Sequence, residues 1–202
     1  MLELKNLSFS VNDGNKTKQI LKDINLTVKP GERVHIVGKN GCGKSTLFKI
    51  ITGILKAQGQ VKLDEEDYLG AMIENPGFLE YETGLENLKF LANLNHHYDE
   101  AKVRNLMKEF SLDPDESQAV SKYSIGMRQK LGIIQAIMEN QNIVLFDEPT
   151  RGIDKEGVTT FLKMLDRLKE QKVSVIIATH EDIAGLTYDR VLKLENGALE
   201  NV

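Results

Sequence analysis

One stretch decides most of what this chain can fold into: Val34-His-Ile-Val37 followed by Gly38-Lys-Asn-Gly-Cys-Gly-Lys-Ser-Thr46. The first four residues are short, β-branched and apolar, as a strand covered on both faces must be. The segment from Ser45, "STLFKIITG", has helical spacing and is closed by Gly53. Between them stands G-x-x-x-x-G-K-[ST], which carries chemical meaning only in a strand-loop-helix setting. Glycines let successive backbone N–H groups curl around phosphates, and the helix start adds partial positive charge. In that reading Gly38, Lys39, Asn40, Gly41, Cys42, Gly43, Lys44, Ser45 and Thr46 form a nucleotide-phosphate loop. Lys44 reaches the β and γ phosphates and Ser45 holds Mg²⁺. Cys42 is read as a tolerated small residue.

The remaining sequence predicts an α/β protein with a mostly parallel sheet. Leu2, Leu4, Leu7, Phe9 and Val11, then Ile24, Leu26 and Val28, predict an N-terminal antiparallel layer around the turn-rich "NDGNK". "VKL" and "YLGAMI" read as further short strands. Thr83-Gly-Leu-Glu86 matches a capping box, Asp99 can cap a second helix through Phe110, and Ser124 can cap a third. A helical block thus interrupts the core over about 78–140. The core resumes with strands at 142–146, 173–178 and 190–194, a helix from Asp154 to Glu170, and a hairpin signal at Asn196-Gly197. We expect a single domain over 1–202, with 1–77 and 141–202 as core plus β subdomain and 78–140 as helical subdomain.

Two acids, Asp147-Glu148, leave the carboxyl end of the buried strand at 142–146, where open α/β sheets place ligands. Asp147 suits the Mg²⁺ shell, and Glu148 suits orienting an attacking water and accepting its proton. His180 follows the strand "VSVIIAT" and is placed to contact the γ-phosphate or that water. His35, inside an apolar strand, reads as a packed core histidine. His96 and His97 lack partners at metal-ligand spacing, so no zinc site is expected. With 26 basic and 30 acidic residues the net charge is -4, which gives no global positive field to recruit nucleic acid. The single cysteine excludes an internal disulfide and suits a reducing compartment. No segment approaches the roughly 18 apolar residues needed to cross a bilayer, and the start lacks a secretory pattern.

The phosphate loop, helical insertion, "SIGMRQ", "IVLFDEP", "GID" and the strand-end histidine stand in an order that resembles the ATP-binding subunit of ATP-binding cassette (ABC) transporters. The resemblance covers nearly the whole chain. It implies a P-loop NTPase fold with a RecA-like core, an antiparallel β subdomain and a helical subdomain, with ATP and Mg²⁺ as cofactors. It further implies that Ser124, Ile125, Gly126, Met127, Arg128 and Gln129 form the signature, which faces the γ-phosphate held by a second subunit in a head-to-tail pair. Asp154 then resembles the D-loop aspartate at the same interface. The pair could be a homodimer or could join a different ATPase subunit.

Three departures from the family pattern stand out. Ile125 and Met127 replace commoner signature residues, in a form similar to exporter-type subunits of bacitracin and lantibiotic resistance. Val11 occupies the place where many relatives stack an aromatic ring on adenine. Glu74 stands where glutamine is usual, at a loop touching metal-bound water and the membrane subunit. What the resemblance implies is ATP hydrolysis driving a separate transmembrane permease, from the cytoplasmic face of the cell membrane, to export a peptide antibiotic or similar compound. Phe78, Leu79 and Tyr81 could form part of the permease groove or belong to the subdomain core. Soluble ABC proteins of ribosomes or chromosomes carry two cassettes or a long coiled coil, and the 80 positions from Lys44 to Ser124 leave no room for such an arm. A small-molecule kinase would leave "SIGMRQ" and the water-orienting Glu148 unexplained.

Overall fold

The computed structural model describes residues 1–14 and 16–202; Asn15, within the predicted "NDGNK" turn, lies outside the described residues. β1 (Leu2–Asp13) and β2 (Lys16–Val28) pair antiparallel, burying Leu2, Leu4, Leu7, Leu21, Ile24, Leu26 and Val28. The step from Leu4 to Leu7 breaks simple alternation, and register shifts between Leu4 and Leu7 and between Leu7 and Phe9 absorb it. Such bulges return each apolar side chain to the inner face. β4 (Gln58–Lys62) pairs with the other edge of β1, giving the order β2-β1-β4. Sequence spacing starts this last strand three residues late and does not assign it to this sheet. Gly59 permits the approach: at φ +95° a Cβ would lie 2.5 Å from the carbonyl oxygens of Lys5 and Asn6.

The second sheet runs β5-β6-β7-β3-β8-β9. Its members are β3 (Arg33–Val37), β5 (Leu69–Met72), β6 (Ile143–Asp147), β7 (Ser174–Thr179), β8 (Arg190–Glu195) and β9 (Ala198–Asn201). All are parallel except β9, which turns back through Asn196 and Gly197 at φ +51° and +80°. Two successive positive φ values define the tight hairpin that this dipeptide favours. Along β6, Ile143 and Leu145 face a core shared with α1 (Lys44–Ile51) and the antiparallel sheet. Val144 and Phe146 face the opposite core, built with α2 (Gly84–Leu94), α3 (Glu100–Glu109), α4 (Ile125–Ile137) and α5 (Lys155–Glu170). Burial on both faces is why these strands read as unbroken apolar runs.

The three predicted caps form: Thr83 Oγ1 accepts from the Glu86 amide at 3.2 Å, Asp99 from Lys102 at 3.0 Å and Ser124 from Met127 at 3.2 Å. Asp154, expected as the first residue of its helix, instead caps α5 by accepting from the Gly157 amide at 2.9 Å. His35 is fully buried as expected, stacked on Tyr188 at 4.4 Å with Nε2 2.6 Å from Thr179 Oγ1. Strand order is the feature that assembles a site, because β6, β7 and β3 are neighbours. Their carboxyl ends, which lead to Asp147-Glu148, His180 and the glycine loop, therefore emerge side by side.

β5 meets α4 so closely that a Cβ on Gly70 would lie 2.0 Å from the Ala136 carbonyl oxygen. A Gly70→Ala substitution should therefore push strand and helix apart and lower unfolding stability by about 1–3 kcal/mol or more. Urea titration followed by circular dichroism checks this, and an unchanged midpoint would show the contact to be compliant.

Candidate functional site

The glycine loop leaves β3 and bends through Gly41 at φ +77° and Gly43 at φ +114°, a conformation that disfavours any residue with a Cβ. Gly43 is also the N-cap of α1, and no side chain caps that helix. The first amides of α1 are thus left pointing outward, where an anion satisfies them. Lys44, only 6% exposed, donates from Nζ to the Gly38 carbonyl at 2.6 Å and the Lys39 carbonyl at 3.3 Å. Its ammonium lies 3.7 Å from Glu148 Oε1. The cation is held above the loop, facing the acids at the end of β6.

Asp147 is 3% exposed and its Oδ2 has no hydrogen-bond partner. Burial pushes its pKa above the ordinary value, opposed by hydrogen bonds from the Ser45 hydroxyl and the Glu74 amide. A buried, unpaired carboxylate oxygen beside a serine hydroxyl fits a hard divalent cation, which prefers oxygen donors. Glu148 sits at φ +49°, held by its amide to the Ala178 carbonyl at 2.8 Å and by its carbonyl accepting from Gln129 Nε2 at 2.8 Å. Its carboxylate lies 3.0 and 3.2 Å from His180 Nδ1. An ionised carboxylate only accepts, so Nδ1 carries the proton in this pair.

Gly41, Gly43, Lys44, Ser45, Asp147, Glu148 and Gln129 line a cleft of about 440 Å³ together with Ile20, Asn40, Thr46, Asn75 and Arg151, whereas His180 stands outside that lining and reaches it through its bond to Glu148. Sequence reasoning alone does not single out Ile20, Asn75 or Arg151. Ile20 reaches the cleft through the β1-β2 register, which sequence spacing does not encode. Arg151 follows Asp147-Glu148-Pro-Thr directly, and that proximity is the available signal. Glu74 lines the cleft at φ +53°, with Oε1 accepting from Lys49 Nζ at 2.9 Å. Val11 lines neither this cleft nor the adjoining one of about 710 Å³ formed by Lys18, Lys39, Cys42 and Lys193. It is paired with Lys18 across the hairpin and is largely exposed.

Of the segment 124–129, Gln129 alone lines the cleft. Ser124 and Ile125 are exposed at the outward start of α4, and Gly126 lies where a Cβ would be 2.6 Å from the Gly152 carbonyl oxygen. From sequence, Arg128 and Lys130 count as positive charge at this helix end. In the structure Arg128 makes a two-pronged bond with Glu80, 2.7 Å at each nitrogen, and Lys130 pairs with Asp154 at 3.1 Å. Hydrogen bonds from the Gly157 amide and Lys130 hold the Asp154 carboxyl below its ordinary pKa. The outward end of α4 therefore offers backbone N–H groups, with both nearby cations already paired.

The sequence matches the family model described as ABC transporter over residues 21–151, more than half of the chain. It is 37% identical over 201 residues to the uncharacterized ABC transporter ATP-binding protein YdbJ of Bacillus subtilis, covering 91% of this chain and 64% of that one. It is 31% identical over 191 residues to the bacitracin transport ATP-binding protein BcrA of Enterococcus faecalis, covering 86% of this chain and 62% of that one. The chain thus spans less than two thirds of either relative. Among solved structures it is similar to the ATP-binding cassette MJ0796, a dimer in a post-hydrolysis state bound to ADP and Pi. The TM-score is 0.90 at 25% identity, with 100% of this chain and 98% of that one covered.

The raised pKa of Asp147 has a stability consequence. The folded state holds this proton more tightly than the unfolded state does, so its contribution is present below the ordinary value of 3.8 and lost as pH rises through the folded value. At pH 7 the carboxylate is a net cost to the nucleotide-free fold. Asp147→Asn should therefore raise the thermal midpoint at pH 7, with the gain shrinking as pH falls. A melting series across pH checks it, and an equal or lower midpoint at pH 7 would contradict it.

Proposed function

The chain belongs to the ABC transporter family, and we propose that it is the ATP-binding and ATP-hydrolysing subunit that drives a separate membrane permease. The observation carrying this reading is the convergence of the glycine loop, Asp147-Glu148 and His180 at the carboxyl ends of neighbouring central strands, with Glu148 hydrogen-bonded to His180. The amides of residues 41–46 and Lys44 hold the triphosphate, and Ser45 and Asp147 hold Mg²⁺, with Glu74 at the rim. When bound, Mg²⁺ offsets charge on the β and γ phosphates. Glu148 orients a water and takes its proton as the water oxygen bonds to the γ-phosphorus. The bond from that phosphorus to the β,γ-bridging oxygen breaks, releasing ADP and phosphate. His180, with its proton on Nδ1 toward Glu148, keeps the carboxylate aimed, and its Nε2, which in that tautomer only accepts, can take a hydrogen bond from the attacking water.

The outward segment from Ser124 to Arg128 serves a second subunit. It lines no part of its own chain's cleft, and the helix-start amides that Ser124 leaves free fit an anion supplied from outside. Two subunits meeting head to tail place each α4 start against the γ-phosphate held by the other's Lys44, with Asp154 beside the contact. The dimeric state of the similar cassette supports this arrangement. ATP then joins the two chains, and hydrolysis loosens them.

Among the described residues no helix is long and apolar enough to cross a membrane. A groove of about 530 Å³ lined by Ile51, Ile54, Leu63, Ile73, Pro76 and Leu91 opens beside the loop after Glu74, where Tyr81 is 93% exposed and Leu79 and Phe90 are also exposed. This is the site we assign to a permease helix, with the cassette working on the cytoplasmic face of the cell membrane. Phe78, by contrast, packs against the helical core. The likeness to BcrA, whose name records bacitracin transport, supports a peptide antibiotic or similar compound as cargo.

Glu148→Gln should retain ATP binding, slow hydrolysis by about 10²–10⁴-fold and trap an ATP-bound dimer visible by light scattering. Turnover at the wild-type rate would remove Glu148 from the base role. Tyr81→Asp should leave the isolated chain's ATPase rate unchanged while abolishing co-purification of a multi-span membrane protein from detergent extracts. Retained co-purification would place the docking surface elsewhere.

A further inference from the structure

The chain has six arginines, and five of them are committed to carboxylates. Arg33 pairs with Asp166, Arg104 with Glu100 and Asp115, Arg128 with Glu80, Arg167 with Glu109, and Arg190 with Glu32. Arg151 is the exception among the described residues, and it is also the arginine that lines the phosphate cleft. Its backbone is fixed there, since its amide donates to the Glu148 carbonyl at 3.2 Å and Gly152 at φ +73° turns the chain immediately afterwards. Arg151 therefore enters the cleft from the Glu148 side.

That position is specific. The water activated by Glu148 must lie against the terminal phosphate, so a guanidinium entering beside Glu148 faces the γ-phosphate end of a bound nucleotide. A guanidinium presents a planar fork that matches phosphate oxygens, and it stays charged throughout. We propose that Arg151 is a further catalytic residue whose guanidinium binds the γ-phosphate and offsets the charge that develops there as the bond to the leaving oxygen breaks. Its companion cation, Lys44, comes from the glycine loop, so the terminal phosphate meets two positive groups supplied by two separate segments of the chain. Because only the triphosphate reaches Arg151, this side chain also separates ATP from ADP.

The proposal rests on the ATPase reading, and one set of measurements separates the two. Magnesium-dependent phosphate release from ATP, together with calorimetric binding of ADP and of a non-hydrolysable imido analogue of ATP, is measured on wild type, Arg151→Ala and Arg151→Lys. The expected result is a fall in kcat of about 10–100-fold for Arg151→Ala, roughly tenfold weaker binding of the imido analogue, and unchanged ADP binding. Arg151→Lys should recover part of the loss, because it keeps the charge without the fork. Turnover of Arg151→Ala within twofold of wild type, or equal weakening of ADP and analogue, overturns the assignment of Arg151 alone. A wild-type chain that neither binds nor hydrolyses ATP overturns the ATPase reading and this assignment with it. Arg151 is exposed, so the substitutions should leave the unliganded melting temperature in place; a shared drop in that temperature with proportionate loss of all ligands also overturns the proposal.

Discussion

Everything at the cleft depends on amides that the fold leaves without an internal partner. A helix start must satisfy about four N–H groups, and most helices here do so partly with a side chain: Thr83, Asp99, Ser124 and Asp154 cap α2 to α5. α1 alone begins at a left-handed glycine with no side-chain cap, directly after a buried parallel strand. The sheet and the two cores can be seen as the apparatus that holds this one unsatisfied helix end rigidly in the open. Without the burial of β3, β6 and β7 on both faces, neither the loop nor the acids opposite it would keep their spacing.

The acids carry the complementary strain. Glu148 and Glu74 both sit at positive φ without being glycine, a conformation that costs of order 1–3 kcal/mol when nothing requires it. Both are held by contacts: the amide of Glu74 bonds Asp147, and Glu148 is pinned from Ala178 and Gln129. Asp147 adds the desolvation of a buried carboxylate. The region is thus less stable than it could be, in a way that arranges negative oxygen opposite Lys44 and the α1 amides. Stability and pre-organisation pull in opposite directions here, as they do at many sites of charge chemistry.

The sheet core was legible because burial on both faces leaves a compact record in sequence: "VHIV", "NIVLF" and "VSVIIA" each became a central strand. Caps were legible because Thr, Asp and Ser act within three residues of themselves. Less visible was anything set by pairing between distant segments. The bulges of β1, the edge position of β4 and the arrival of Ile20 at the cleft depend on register, which local spacing does not encode. The partners of Arg128 and Lys130 were hidden for the same reason, since Glu80 and Asp154 lie 48 and 24 positions away. Charges near a helix start were visible; the acids that claim them required the fold.

Gly126 and Gly152 meet with no space for a methyl group between the start of α4 and the loop that carries Arg151. One end of this joint looks into the chain's own cleft and the other looks outward, at the exposed start of α4. In the proposed head-to-tail pair, a displacement of that loop cannot be cushioned by a side chain before it reaches α4. Such a pair would behave like meshed gears without backlash, so that the order in which two nucleotides are spent becomes a property of the contact between two bare backbones.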